Sequence, residues 1–160
     1  MEIIKIKKSE TADTRTCDVA KVSEQQLLES TLSHISDVKK GMLLFLKMIT
    51  TAALNHDRTK LDEECKKIHP QFFKDFKNNF QTTDWYKMHQ EEERHHISNK
   101  EYIQEDVNLI DILEQITDGV MAGLARSGKY RMEPISKDLL MLAYKNTINL
   151  LLENVEVIES

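Results

Sequence analysis

The chain has 160 residues, 40% of them hydrophobic, with 22 basic against 27 acidic side chains and a formal net charge of −5. That size fits one domain burying roughly two-thirds of its unfolded surface, and the acid excess argues against broad attraction to long nucleic acid. Two cysteines, Cys17 and Cys65, cannot build a disulfide framework, no apolar run nears the roughly 18 residues of a membrane span, and M-E-I-I-K-I-K-K is too short for a secretory signal. The expected setting is therefore a reducing cytoplasm, with no membrane partner.

Only four glycines and two prolines, amid abundant Leu, Lys, Glu and Met, predict an all-α fold. The N-terminus is the exception. Ile4 and Ile6 alternate with lysines, a strand-like period that predicts an extended arm over residues 1–16, with the boundary between arm (1–22) and helical domain (23–160) placed before Ser23. Ser23 and Gln26 form a capping-box pattern, and Leu27, Leu28, Ile35, Val38, Met42, Phe45, Leu46 and Ile49 recur at helical spacing over 24–54, with Gly41 the one obvious breaker. His34 lies beside Ile35 on that apolar stripe, where a lone histidine reads first as a core residue.

After N-H-D-R-T-K at 55–60, Pro70 opens an amphipathic helix whose Phe72, Phe73, Phe76 and Phe80 read as core. Thr83 or Asp84 caps the next helix, through Trp85, Met88 and His89 to His96, and Ser98 with Glu101 repeats the capping-box pattern. Asp106 opens a helix carrying Leu109, Leu113, Ile116, Val120 and Leu124, stopped at Gly128. A last helix, capped at Ser136, carries Leu140, Tyr144, Ile148 and Leu151.

Five of the six histidines fall between positions 56 and 96. Imidazole and carboxylate donors together suit divalent transition ions. His56 and Asp57 supply one nitrogen and one oxygen, but neighbouring helix positions diverge by about 100°, so both face one ion only near a helix end or kink. In M-H-Q-E-E-E-R-H-H, His89 and His96 are seven apart on one helix face, and His89–Glu93 and Glu92–His96 are four apart. Taken alone, that segment also reads as a solvated charged helix. Asp111, Glu114 and Asp118 form an acidic stripe, in which Asp118, among Ile116, Val120 and Met121, is the residue expected to be partly buried and therefore paired, hydrogen-bonded or on a metal.

The order His34, His56-Asp57, Asp118 resembles the HD-domain superfamily of metal-dependent phosphohydrolases, and His89 with His95 or His96 matches the added histidines of members holding more than one metal. The segment H-D-R-T-K resembles the H-D-x-G-K of the cyclic-dinucleotide phosphodiesterase branch, with Thr59 in place of glycine. That branch's glycine-rich proline motif is absent, so its substrate class is not carried over. The chain is also similar to small phage and bacterial proteins with an H-D-x-[ST]-K segment followed by an H-H pair, for which the host cytoplasm is the setting. The resemblance spans residues 34 to about 126 and implies a single HD-like bundle of about five to six helices with one or two divalent ions (Mn, Mg, Zn, Fe or Co). His34, His56, Asp57 and Asp118 would hold the first ion and His89 with His95 or His96 the second, with Asp57 bridging. His34 carries a condition: a continuous helix would set it about 33 Å from His56, so the chain must turn near Gly41, or the site begins at His56.

The implied activity is hydrolysis of a nucleotide or other small phosphate ester by metal-activated water, with Asp57 and Lys60 as the catalytic pair. Lys60 neutralises phosphate charge, and Arg126, Lys129 and Arg131 could grip a second phosphate, although an ordinary charged helix end is the better reading of those three. Two readings compete. A di-iron carboxylate bundle uses Glu-x-x-His on two helices, and E-E-R-H supplies it in one segment only. A non-catalytic helical module would instead bind a nucleotide or protein partner, its histidines being structural. Amphipathic helices of this kind also allow a homodimer.

Overall fold

The chain is mostly helical, and the computed structural model describes residues 3–8, 18–62, 67–130, 132 and 134–158. Helix α1 (Glu24–Asn55) starts from the capping box read in the sequence: the Gln26 N–H donates to Ser23 Oγ at 3.2 Å, and the Ser23 N–H to Gln26 Oε1 at 3.0 Å. It continues through Gly41 without interruption. One glycine costs a helix about 1 kcal/mol, too little to stop 32 residues whose other positions favour it.

Beyond α1, a 3₁₀ turn leads into a short antiparallel pair, β2 (Leu61–Asp62) and β3 (Lys67–Ile68), in the register Leu61↔Ile68 and Asp62↔Lys67. Helix α2 (Pro70–Phe76) is shorter than the phenylalanine spacing predicts, and Phe80 sits in a separate 3₁₀ turn. The stripe accordingly divides. Phe72 and Phe80 lie against Trp85, with ring centroids at 4.6 and 5.7 Å, whereas Phe73 and Phe76 are exposed.

Helix α3 (Asp84–Glu92) is capped by Thr83, whose hydroxyl accepts from the Tyr86 N–H at 3.2 Å. It ends at Glu92 rather than His96. The Ser98–Glu101 pattern opens no helix: the residues around it form turns, and Ser98 Oγ accepts from the Gln115 side chain. Helix α4 (Leu109–Ser127) is capped by Asn108, not Asp106, through a reciprocal box with Asp111, and closes at Gly128 with φ 68°. Helix α5 (Lys137–Glu153) begins after Ser136, whose hydroxyl accepts from the Leu139 N–H.

Two compact units emerge, 1–48 with 148–160, and 49–147. In the first, β1 (Ile4–Lys7) realises the strand-like period of the N-terminus. It pairs in parallel with β4 (Val155–Ile158), Ile4 opposite Val155 and Lys7 opposite Ile158. The remainder of the 1–16 arm is outside the described residues apart from Ile3 and Lys8. In the second unit, a buried cluster of Ile97, Val107, Ile112 and Ala143 anchors the first turns of α4. The Leu109 N–H donates to Thr147 Oγ1, and the Asn146 amide donates to the Glu105 and Val107 carbonyls. These contacts fix the helix that carries Asp111, Glu114 and Asp118.

Candidate metal centre

His56 and Asp57 follow directly on the last residue of α1, and Asp57 takes a left-handed backbone (φ 56°, ψ 25°). Asp is among the few residues that adopt this conformation readily. The helix end thus resolves the 100° divergence: both side chains turn to one place, with His56 Nε2 3.6 Å from Asp57 Oδ2.

The α3 terminus and the turn after it bring three more imidazoles there. His89 Nε2 is 3.5 Å and His95 Nε2 3.8 Å from Asp57 Oδ1, and His96 Nε2 is 2.8 Å from His89 Nε2. From α4, Asp118 Oδ1 stands 3.7 Å from His56 Nε2. Two groups of three result, His56–Asp57–His95 and Asp57–His89–His96, and Asp57 belongs to both. Donors that share one ion at 2.0–2.2 Å stand roughly 3–3.5 Å apart, close to the spacings found. Among the described residues, Asp57 Oδ1 and both ring nitrogens of His95 are buried without a hydrogen bond. Buried polar atoms left unpaired are costly, and a cation between Asp57 Oδ1 and His95 Nε2 would satisfy those two, His95 Nδ1 being on the opposite side of the ring beside Glu114. The donor set fits a divalent ion.

The backs of the rings are held. Glu114 Oε1 lies 2.9 Å from His56 Nδ1 and accepts its hydrogen, which leaves Nε2 to face Asp57 and Asp118. The same oxygen is 3.2 Å from His95 Nδ1, off the line of a hydrogen bond. The Thr59 hydroxyl joins His89 Nδ1 at 2.6 Å to buried Glu93 at 2.8 Å. Trp85 stacks on His89, ring centroids 4.9 Å apart and 13° from parallel.

Electrostatics keeps His89, His96 and Asp57 in ligand form. Burial, and then the neighbouring His96, push His89 down to about 3; burial, and then His95, push His96 down to about 4. Both are neutral imidazoles at pH 7. Burial opposes the charge on His95 too, but the carboxylates of Glu114, Asp57 and Asp118 outweigh it and raise this ring above the ordinary value. Burial likewise opposes ionisation of Asp57, and Lys60, which donates to Oδ2, prevails and lowers it. Burial is outweighed again at Glu114, lowered by His95 and His56.

The turn that carries Glu93, His95 and His96 is fastened through Arg94. Its Nε and Nη2 donate to the two oxygens of buried Asp111, both at 2.8 Å, and Nη1 reaches Gln104 and Asp106. This bidentate pair ties the end of α3 to the start of α4, and its cause is visible at Glu93 and Arg94, where tertiary partners stop the helix.

His34 is not brought to the cluster. With α1 unbroken at Gly41, the turn that would return it to His56 does not exist, and it lies exposed in the first unit. Arg126 and Lys129 are exposed at the far end of α4; eight residues of helix set Arg126 about 12 Å beyond Asp118. Arg131 lies outside the described residues. The E-E-R-H segment leaves the helix directly after Glu92, the last residue of α3, and Glu92 is exposed, so the Glu-x-x-His geometry of a di-iron bundle is not formed. Sequence reasoning did not assign Thr59, Glu93 or Glu114 to the site. Glu93 carried a local signal in its place four residues after His89, and Glu114 another in its place one turn before Asp118.

An apolar cavity of about 300 Å³ adjoins the cluster. Ala52 and Ala53 from α1 and Leu113 and Met121 from α4 line it, and His56, Glu114 and Asp118 form its polar end. No family profile, no curated protein and no solved structure matches the chain.

Proposed function

We propose that the chain is a metal-dependent phosphohydrolase acting on a nucleotide or another small phosphate ester, with the residue order of HD-domain enzymes from His56 to Asp118. The observation that carries this reading is Asp57, one carboxylate common to two histidine groups, which is the arrangement a bridging ligand of a two-ion site requires. His56, Asp57, His95 and Asp118 would hold one ion, and Asp57, His89 and His96 the other. His95 takes the place that the resemblance gave to His34.

Bound ions of this class lower the pKa of water and polarise phosphoryl oxygens. The protein's own residues do the rest. Lys60, held at Asp57 by an ion pair, puts an ammonium beside the donors where phosphate charge needs neutralising. Among the described residues the cavity offers apolar walls and no lysine or arginine, which suits the organic part of a monophosphate ester better than a second phosphate. Water attacks phosphorus, the ester P–O bond breaks, and the departing oxygen takes up a proton.

The test is a panel of nucleotides and phosphomonoesters assayed with manganese, zinc or magnesium. Turnover that Asp57→Ala abolishes is the expected result. Metal retained without turnover on any substrate, with ligand bound and unhydrolysed, would favour the non-catalytic module instead.

A further inference from the structure

Thr59 stands where the resembling H-D-x-G-K segment has glycine, so its side chain invites a physical account. Its backbone N–H and its hydroxyl both lie within hydrogen-bond distance of Glu93 Oε1, at 2.9 and 2.8 Å, and the same hydroxyl is 2.6 Å from His89 Nδ1. Glu93 is 8% and His89 1% exposed, so neither of these two side chains readily exchanges its partner for bulk water.

The proton count decides the direction of each bond. A hydroxyl has one hydrogen, and a carboxylate only accepts. The Thr59 hydrogen therefore goes to Glu93, and Thr59 Oγ1 must accept from His89 Nδ1–H. That assigns the His89 tautomer: the lone pair is on Nε2, the nitrogen facing Asp57 Oδ1 and His96.

We infer that Thr59 and Glu93 are positioning residues that fix the tautomer and ring orientation of His89 through a carboxylate–hydroxyl–imidazole relay, presenting Nε2 as a metal donor. The inference rests on the metal-centre reading above. It assigns Thr59 a specific task, since a glycine there would leave the buried Glu93 carboxylate and the His89 Nδ1–H without their shared partner. Trp85 stacked on the ring stops it tilting out of the relay, so the hydroxyl sets which nitrogen is protonated and the indole sets the plane.

The experiment uses the full chain. Long-range ¹H–¹⁵N spectra of the metal-free protein at pH 7 report directly which His89 nitrogen carries hydrogen, and calorimetric titration with zinc reports affinity. The expected results are Nδ1–H at His89 in the wild type and in Thr59→Ser, and a zinc affinity in Thr59→Val lower by about 10–100-fold, the usual effect of losing a ligand's outer partner. Wild-type His89 found as the Nε2–H tautomer would overturn the relay without reference to any variant. So would wild-type zinc affinity in a folded Thr59→Val protein. If the wild type shows Nδ1–H but binds no metal, the relay stands and the metal-centre reading fails, which separates the two.

Discussion

The two halves of the donor cluster orient their histidines by different means. His56 gives its Nδ1–H straight to a carboxylate, Glu114, on the rigid helix α4. His89 reaches its carboxylate, Glu93, only through the hydroxyl of Thr59, and Glu93 sits at the end of α3 on a turn that Arg94 must fasten. A helix-borne carboxylate needs nothing beyond helix phase. The relay needs two loops in register. The half built on α4 should therefore be the sturdier, and the half built on the α3 terminus the more easily disturbed.

Breaking the link common to both halves should have the largest effect. Asp57→Ala removes a donor from each group at once and is expected to weaken metal binding by more than the factor of about 10–100 typical of an outer partner, while also abolishing turnover; calorimetry and the phosphatase assay read the two losses separately. Next comes the fastening of the weaker half. Arg94→Ala leaves the charge of buried Asp111 with only the Asn108 N–H and the N-terminus of α4 to meet it and should cost about 2 kcal/mol of stability, read by urea unfolding, with the imidazoles of His95 and His96 displaced and that of His56 little affected.

The sturdier half is probed by Glu114→Gln. Its amide oxygen can still accept from His56 Nδ1–H, so zinc affinity should fall by only about 10-fold and the spectra of His89 should stay unchanged. A loss as large as that of Asp57→Ala would mean that the halves are not separable. Smallest is the effect of pH on the metal-free protein. His89 and His96, pushed down to about 3 and about 4, bind protons less readily folded than unfolded, so the stability they contribute is present above pH about 6.5 and lost as pH falls toward 4. His95, raised, works in the opposite sense, its contribution being lost as pH rises through its folded value. Two depressed groups against one raised give a lower melting temperature at pH 5 than at pH 7.5 in chelator; a higher one would contradict the burial of these rings.

The same contrast explains what the sequence made legible. Helices α1, α4 and α5 announce themselves through local signals, Ser23 with Gln26, Gly128 and Ser136, because capping acts within four residues. His56 and Asp57 were readable as donors for the same reason, their chemistry being adjacent in the chain. His89 and His96 do meet, but by a different route from the helical phase that suggested it: α3 stops at Glu92, and the turn draws in His95 as well. Nothing local reveals that stop, since the partners of Glu93 and Arg94, Thr59 and Asp111, are 34 and 17 residues away. Strand β4 was missed likewise, its partner β1 being at the other end of the chain. The reading of His34 turned on a single glycine that a long, otherwise favourable helix absorbs.

The central claim, a metal centre built around Asp57, is tested most directly by an anomalous difference map from crystals grown with manganese. The account predicts peaks within coordination distance of Asp57, one beside His56, His95 and Asp118 and one beside His89 and His96. Manganese bound elsewhere on the surface, with Asp57 still held only by Lys60, would contradict it.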